Sequence, residues 1–175
     1  GCGMGYHSFL LHKIGFNVTS VDVSESGISY AKKNYKGPEY HHIDALKLEE
    51  ILDFASFDLI FIRGMSFYHY ELNTTNKHGI DVPSASQYFM RFLKPRGVFI
   101  LQVKTDFSGY KPGSEEDSVH MNKYEDYINH FEKLGKVILV TDYRCKEIRN
   151  SEEAQRTKRG LLHPKGIIIA SQKEI

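Results

Sequence analysis

The chain has 175 residues, 41% hydrophobic and 26% charged, which is enough apolar material for the core of one globular domain and excludes a disordered or fibrous chain. A formal net charge of +1 gives no electrostatic reason to expect nucleic acid or an anionic membrane surface as partner, and no apolar run is long enough to span a bilayer. Cys2 and Cys145 are too few and too far apart for a disulfide framework or a cysteine-rich zinc site, so a reducing, cytoplasmic setting is expected.

The chain opens on Gly1-Cys2-Gly3-Met4-Gly5, a loop that lets backbone approach a ligand and that normally joins a buried strand to a helix N-terminus. No strand precedes it, so these residues are expected to be the remainder of a longer chain that begins in mid-motif. Phe9, Leu10 and Ile14 fall on helical spacing over Tyr6 to Ile14, and Gly15 is the expected stop. Asn17 to Val23 reads as a β-branched strand ending on Asp22. Ser24 or Glu25 then opens a helix through Tyr35 with Ile28 and Ala31 inward.

Tyr40 to Ile43 is a weak strand, Leu48 to Leu52 a short helix, and Phe57 to Ile62 an apolar run expected to lie centrally, buried on both faces. Pro83 suits a first helical turn, and Tyr88, Phe89, Phe92 and Leu93 carry that helix to Lys94-Pro95-Arg96-Gly97, where proline and glycine stop it. Val98 to Val103 is the next strand. A polar stretch from Asp106 to His120 reads equally as a lid or a connector. A helix over Asn122 to Leu134, a strand over Lys136 to Tyr143, a charged irregular stretch and a last strand over Gly166 to Ser171 complete the chain. This alternation calls for a mostly parallel twisted sheet with helices on both faces and ligands at the strands' carboxyl ends. The short link between the last two strands favours antiparallel pairing there.

In this order, the segments resemble the class I S-adenosylmethionine-dependent methyltransferases. The Gly1, Gly3, Gly5 loop is similar to that family's first motif. Asp22, followed by Val23-Ser24 and a helix, resembles its ribose-binding acid, and Asp44 in His42-Ile43-Asp44-Ala45 resembles the acid that contacts the adenine amino group. Phe57-Asp58-Leu59-Ile60 resembles the fourth-strand motif, and Leu93-Lys94-Pro95-Arg96-Gly97 the turn before the fifth strand, with Arg96 where glycine is commoner. The resemblance implies a Rossmann-like three-layer α/β sandwich with an antiparallel C-terminal strand, present here as one domain over residues 1–175 without its first central strand. It also implies S-adenosyl-L-methionine as methyl donor, S-adenosylhomocysteine as product, and Gly1, Gly3, Gly5, Asp22, Val23, Asp44 and Ala45 as cofactor-binding positions. The chemistry is apt, because one carboxylate can accept from both ribose hydroxyls. The sulfonium is a cation that an aromatic face from Tyr6, Tyr68 or Tyr70 stabilises when it lies within about 6 Å.

The segment from Arg63 to Tyr70 follows the fourth strand, where the family meets its methyl acceptor, so it is expected to form the floor of the active site. It carries neither the Asn/Asp-Pro-Pro-aromatic pattern of many nucleobase amine methyltransferases nor the Pro-Cys pair of pyrimidine carbon methylation, and no strand-end aspartate of metal-dependent catechol-type members. By elimination the expected reaction is O-methylation of a small molecule or glycan, with N-methylation open. His69 reads equally as the candidate general base or as a structural histidine, and Tyr68 equally as a residue that orients acceptor or cofactor or as a core aromatic. Arg63 reads either as a contact to an acidic substrate group or as half of a salt bridge. His41, His42 and His120 have no ligand set at a recognised spacing, so no metal is expected. The basic residues between Arg144 and Arg159 alternate with glutamates, as in a solvated hairpin. Two rivals stay open: a non-catalytic module that uses the same pocket to bind cofactor or a partner, and a nicotinamide-dependent oxidoreductase, although Tyr6 fills the last glycine position of a dinucleotide loop.

Overall fold

A computed structural model of the protein describes residues 1–69, 72, 79–105, 107–109, 122–156 and 166–174. The chain divides into two compact units, Gly1–Leu52 and Asp53–Ile175. Among the described residues the strands form two sheets, one in each unit.

In the first unit, α1 (Tyr6–Lys13) starts from Gly5, whose φ of 83° turns the chain out of the loop. β1 (Thr19–Asp22) pairs in parallel with β2 (Glu39–His42), in register from Thr19 opposite Glu39 to Asp22 opposite His42. Between them runs α2 (Glu25–Asn34), opened by Ser24, whose hydroxyl accepts the Gly27 N–H at 3.1 Å and so satisfies one orphan donor of the first turn. The expected inward residues Ile28 and Ala31 are buried and, with Tyr40, form this unit's core. The short helix expected at Leu48 is a 3-10 segment that begins earlier, at Ala45–Glu50, because the Asp44 carboxylate accepts the Leu46 N–H at 2.9 Å and caps it.

The second unit contains β3 (Phe57–Arg63), a 3-10 turn (Ser66–His69), α3 (Val82–Phe92), β4 (Leu93–Lys104), α4 (Tyr124–Glu132), β5 (Lys136–Asp142), α5 (Ser151–Arg156) and β6 (Gly166–Gln172). The strand order is β3-β4-β6-β5. β3 and β4 are parallel, and β6 runs antiparallel to both β4 and β5; the antiparallel pairing expected of the last two strands is present, although the link between them is long, covering residues 143–165 and including α5. β6 is therefore the one reversed strand of a mixed sheet. Phe89, Phe92, Phe99, Leu101, Val103, Phe131 and Ile169 are all at most 2% exposed and make the core. Each such side chain contributes about 1.5–3 kcal/mol on burial.

Two expectations are corrected. β3 is an edge strand of its sheet, and only Ile62 along it is fully buried, so the apolar run marks a half-buried strand and not a central one. The Lys94–Gly97 turn does not separate helix from strand: β4 begins at Leu93, paired with Phe57, and the turn is a kink inside it. Arg96 takes φ 64° at that kink, a left-handed conformation that glycine adopts more readily.

Candidate functional site

The first unit brings the glycine loop and Asp22 together. Asp22 Oδ2 accepts the Gly3 N–H at 2.7 Å and Oδ1 accepts the Ser24 N–H at 2.9 Å, so one carboxylate fixes the loop and the entry to α2 at once. Both are charge-assisted bonds, shorter and stronger than neutral ones. The loop is closed by Gly5 N–H on the Cys2 carbonyl at 3.0 Å, and Gly1 and Cys2 both donate to the Val21 carbonyl at 2.9 Å.

The glycines do different work. Gly3, at φ 54°, has no heavy atom within 4 Å of where a Cβ would stand, so its surface is open. A Cβ on Gly5 would stand 2.6 Å from Ala31 Cβ and 2.9 Å from the Tyr40 ring, so Gly5 lets the loop pack on the core. Gly27 escaped the sequence reading: its Cβ would lie 3.1 Å from the Gly3 carbonyl oxygen, so the start of α2 abuts the loop. The signal was a glycine three residues after a capping serine, which by itself also fits an unremarkable first turn.

Val23 is 66% exposed, and its carbonyl accepts from His42 Nε2 at 3.0 Å. Asp44 and Ala45 follow β2 directly, with Asp44 serving as the cap described above. Tyr6 is 52% exposed beside His7 and Tyr35.

The second unit separates two neighbours that the sequence had grouped. Tyr68 is completely buried; its hydroxyl bonds Ser86 Oγ at 2.8 Å, and its ring packs against Phe99, His130 and Phe131. The expectation that Tyr68 faces a ligand is corrected: burial turns it into the core and pushes its phenol well above the ordinary tyrosine range. Ser86 Oγ in turn meets His130 Nε2 at 2.9 Å. Burial, aided by Lys133, lowers His130 to about 4, with a hydrogen bond to the Leu72 backbone opposing part of that fall. Ser86 and His130 lie 44 residues apart, and no local pattern announces their meeting.

His69, the next residue, is only partly buried. Its Nε2 is shielded from solvent and has no hydrogen-bond partner among the described residues. Burial and the Lys104 ammonium lower its pKa below the usual histidine value. Arg63 is exposed at the end of β3 without an ion pair among the described residues, so the salt bridge considered for it is not formed there. Tyr70 and His120 lie outside the described residues, as do Lys158 and Arg159 of the basic run. Arg149 in that run forms an exposed two-pronged pair with Glu147 at 3.0 and 3.1 Å, a solvated arrangement of small energetic weight. No helix among the described residues is long and apolar enough to cross a membrane.

A parallel β-α-β unit with a glycine loop held by a strand-end acid, and a mixed sheet whose reversed strand lies inside it among the described residues, define a Rossmann-like α/β protein. The family described as the methyltransferase domain matches residues 1–101, more than half of the chain, and the chain belongs to that family. No curated protein matches it. Among solved structures it is similar to an S-adenosylmethionine-dependent methyltransferase from Mesorhizobium loti, with 19% identity and a TM-score of 0.67 over 99% of this chain and 88% of that one. It is also similar to the N-methyltransferase NodS from Bradyrhizobium japonicum, with 16% identity and a TM-score of 0.65 over 100% and 83%. A third is the cyclase SpnF, with 14% identity and a TM-score of 0.67 over 99% and 73%. At such identities the likeness establishes the fold, and the Rossmann-like class expected from the motifs holds.

Proposed function

We propose that the protein transfers a methyl group from S-adenosylmethionine to an acceptor oxygen of a small molecule or glycan. The observation that carries the cofactor half is the Asp22 carboxylate bonded to the Gly3 N–H beside an open glycine surface. That arrangement fits a nucleoside: the glycine backbone leaves room for close approach, and a carboxylate oxygen has a further lone pair for a ribose hydroxyl. In this reading Gly1, Gly3 and Gly5 admit the cofactor, Asp22 with Val23 holds its ribose, and Asp44 with Ala45 holds its adenine. S-adenosylmethionine supplies, when bound, a methyl group on a sulfonium that an oxygen nucleophile displaces directly. Structures of NodS include one in complex with S-adenosyl-L-homocysteine, which supports the choice of cofactor.

His69 takes the acceptor's proton. Its depressed pKa keeps it neutral near pH 7, and its shielded Nε2 has a free valence for an acceptor hydroxyl. Tyr68 acts through position, anchoring the turn that carries His69 to Ser86 and His130. Transfer to nitrogen is the second reading, favoured by the likeness to an N-methyltransferase.

The test is calorimetric titration of S-adenosylmethionine and S-adenosylhomocysteine into the protein and into Asp22→Ala and Asp22→Asn. Binding that is abolished by alanine and weakened by asparagine is expected. Unchanged affinity in both variants removes Asp22 from the site, and NAD binding in place of S-adenosylhomocysteine moves the protein to the oxidoreductases.

A further inference from the structure

Arg63 and Lys104 end adjacent parallel strands. Arg63 is paired with Gln102, and Lys104 lies two residues beyond Gln102, so strand alternation puts Arg63, Gln102 and Lys104 on one face of the sheet at its carboxyl edge. Both cations are exposed, and neither has an ion pair among the described residues. His69, from the turn after β3, lies close enough to Lys104 for the ammonium to oppose its protonation. Tyr143, just past the end of β5, feels the Arg63 guanidinium in the same way. Burial is the larger influence on both residues, and no carboxylate among the described residues acts on either.

The nearby acids among the described residues are committed elsewhere. Asp142 Oδ1 accepts the backbone N–H groups of Arg144 and Lys146 at 2.8 and 2.9 Å, and Glu147 is paired with Arg149. This edge therefore gathers a guanidinium, an ammonium and an imidazole nitrogen with no anion among the described residues to answer them. Like charges held together without a counter-charge repel, and an oxyanion relieves that repulsion while accepting their hydrogen bonds.

We propose that the edge formed by Arg63, His69 and Lys104 binds an oxyanion carried by the methyl acceptor, a carboxylate or phosphate group, so that the acceptor is an anionic hydroxy compound. Arg63 grips the oxyanion through its planar fork, Lys104 acts as a point charge, and Gln102 on the same face supplies a neutral donor. The anion anchors the molecule while its hydroxyl reaches His69. The substrate class so named rests on the functional reading above, but the anion site can be tested without cofactor or acceptor.

The test follows the His69 imidazole resonances by NMR while inorganic phosphate, and in a second arm acetate, is titrated into the whole protein at constant ionic strength. A saturable shift is expected, weakened roughly tenfold in Arg63→Gln and in Lys104→Gln, the scale of one charge-assisted hydrogen bond at a half-exposed site. Lys104→Arg should keep it, and Arg149→Gln should leave it untouched. The arm with the tighter midpoint names the group as phosphate or carboxylate. A shift that grows linearly, or one equal in all variants, overturns the proposal. S-adenosylhomocysteine binding measured on the same samples shows separately whether the cofactor reading stands.

Discussion

Gly3 and Gly5 differ by two residues and share a left-handed backbone, yet alanine at each should fail for a different reason. At Gly5 the new Cβ would stand 2.6 Å from Ala31 Cβ, on a fully buried helical residue, and 2.9 Å from the Tyr40 ring. Neither atom is the loose end of a flexible chain, so α2 or β2 must shift. Left-handed strain costs about 1–2 kcal/mol and overpacking a close-packed site about 1–3 kcal/mol, so Gly5→Ala should lose about 2–5 kcal/mol of stability. At Gly3 nothing lies within 4 Å, and only the backbone term of about 1–2 kcal/mol remains. The methyl group there instead occupies the surface assigned to the cofactor. Urea denaturation monitored by circular dichroism measures the first quantity, and calorimetry with S-adenosylhomocysteine the second. Gly5→Ala should fall mainly in stability, and Gly3→Ala should stay folded with affinity reduced by a factor of ten or more, roughly the effect of 1.4 kcal/mol. Equal destabilisation by both would refute the packing argument, and wild-type affinity in Gly3→Ala would refute the role of the loop.

Stability should also carry a pH signature from His130. Its pKa is about 4 in the fold against 6.5 for an ordinary histidine, so the unfolded chain takes up the proton first as pH falls. The contribution, about 3 kcal/mol, is complete above pH 6.5 and declines as pH drops toward 4. Denaturation midpoints at pH 7, 5.5 and 4.5 should converge between the wild type and His130→Gln, because the variant lacks the titration; parallel curves would remove His130 as the source. Turnover, once an acceptor is in hand, should rise with pH through a value below 6.5 and be level by neutrality, because burial and Lys104 keep His69 unprotonated. His69→Ala should lower kcat by roughly a hundredfold, within the usual range for a general base, with S-adenosylhomocysteine affinity unchanged. Full turnover in that variant would reassign the base.

What was legible in the sequence was whatever is decided within a few residues. Ser24 capping α2, and Ile28 and Ala31 on its inner stripe, follow from local hydrogen-bonding chemistry and helical spacing. The glycine loop and Asp22 were legible for a related reason: the turn and the tip of β1 that faces it are joined by one short helix, α1, so their separation in sequence nearly dictates their meeting. The misreadings fall where neighbours in space are distant in sequence. An apolar run does not distinguish an edge strand from a central one, because it records how much is buried and not which strands do the burying, and β3 was misplaced on that account.

The acceptor side was harder still. Within a four-residue 3-10 turn no period separates inward from outward positions, so Tyr68 and His69 looked interchangeable. Their fates diverge because Ser86 on α3 and His130 on α4 offer a buried hydrogen-bond chain to one and nothing to the other. A buried phenol without a partner costs more than an exposed one, so the chain captures Tyr68 and leaves His69 at the rim of the core. The reactivity assigned to His69 is then a consequence of its neighbour's burial: whatever releases Tyr68 from Ser86 should also loosen the histidine that follows it.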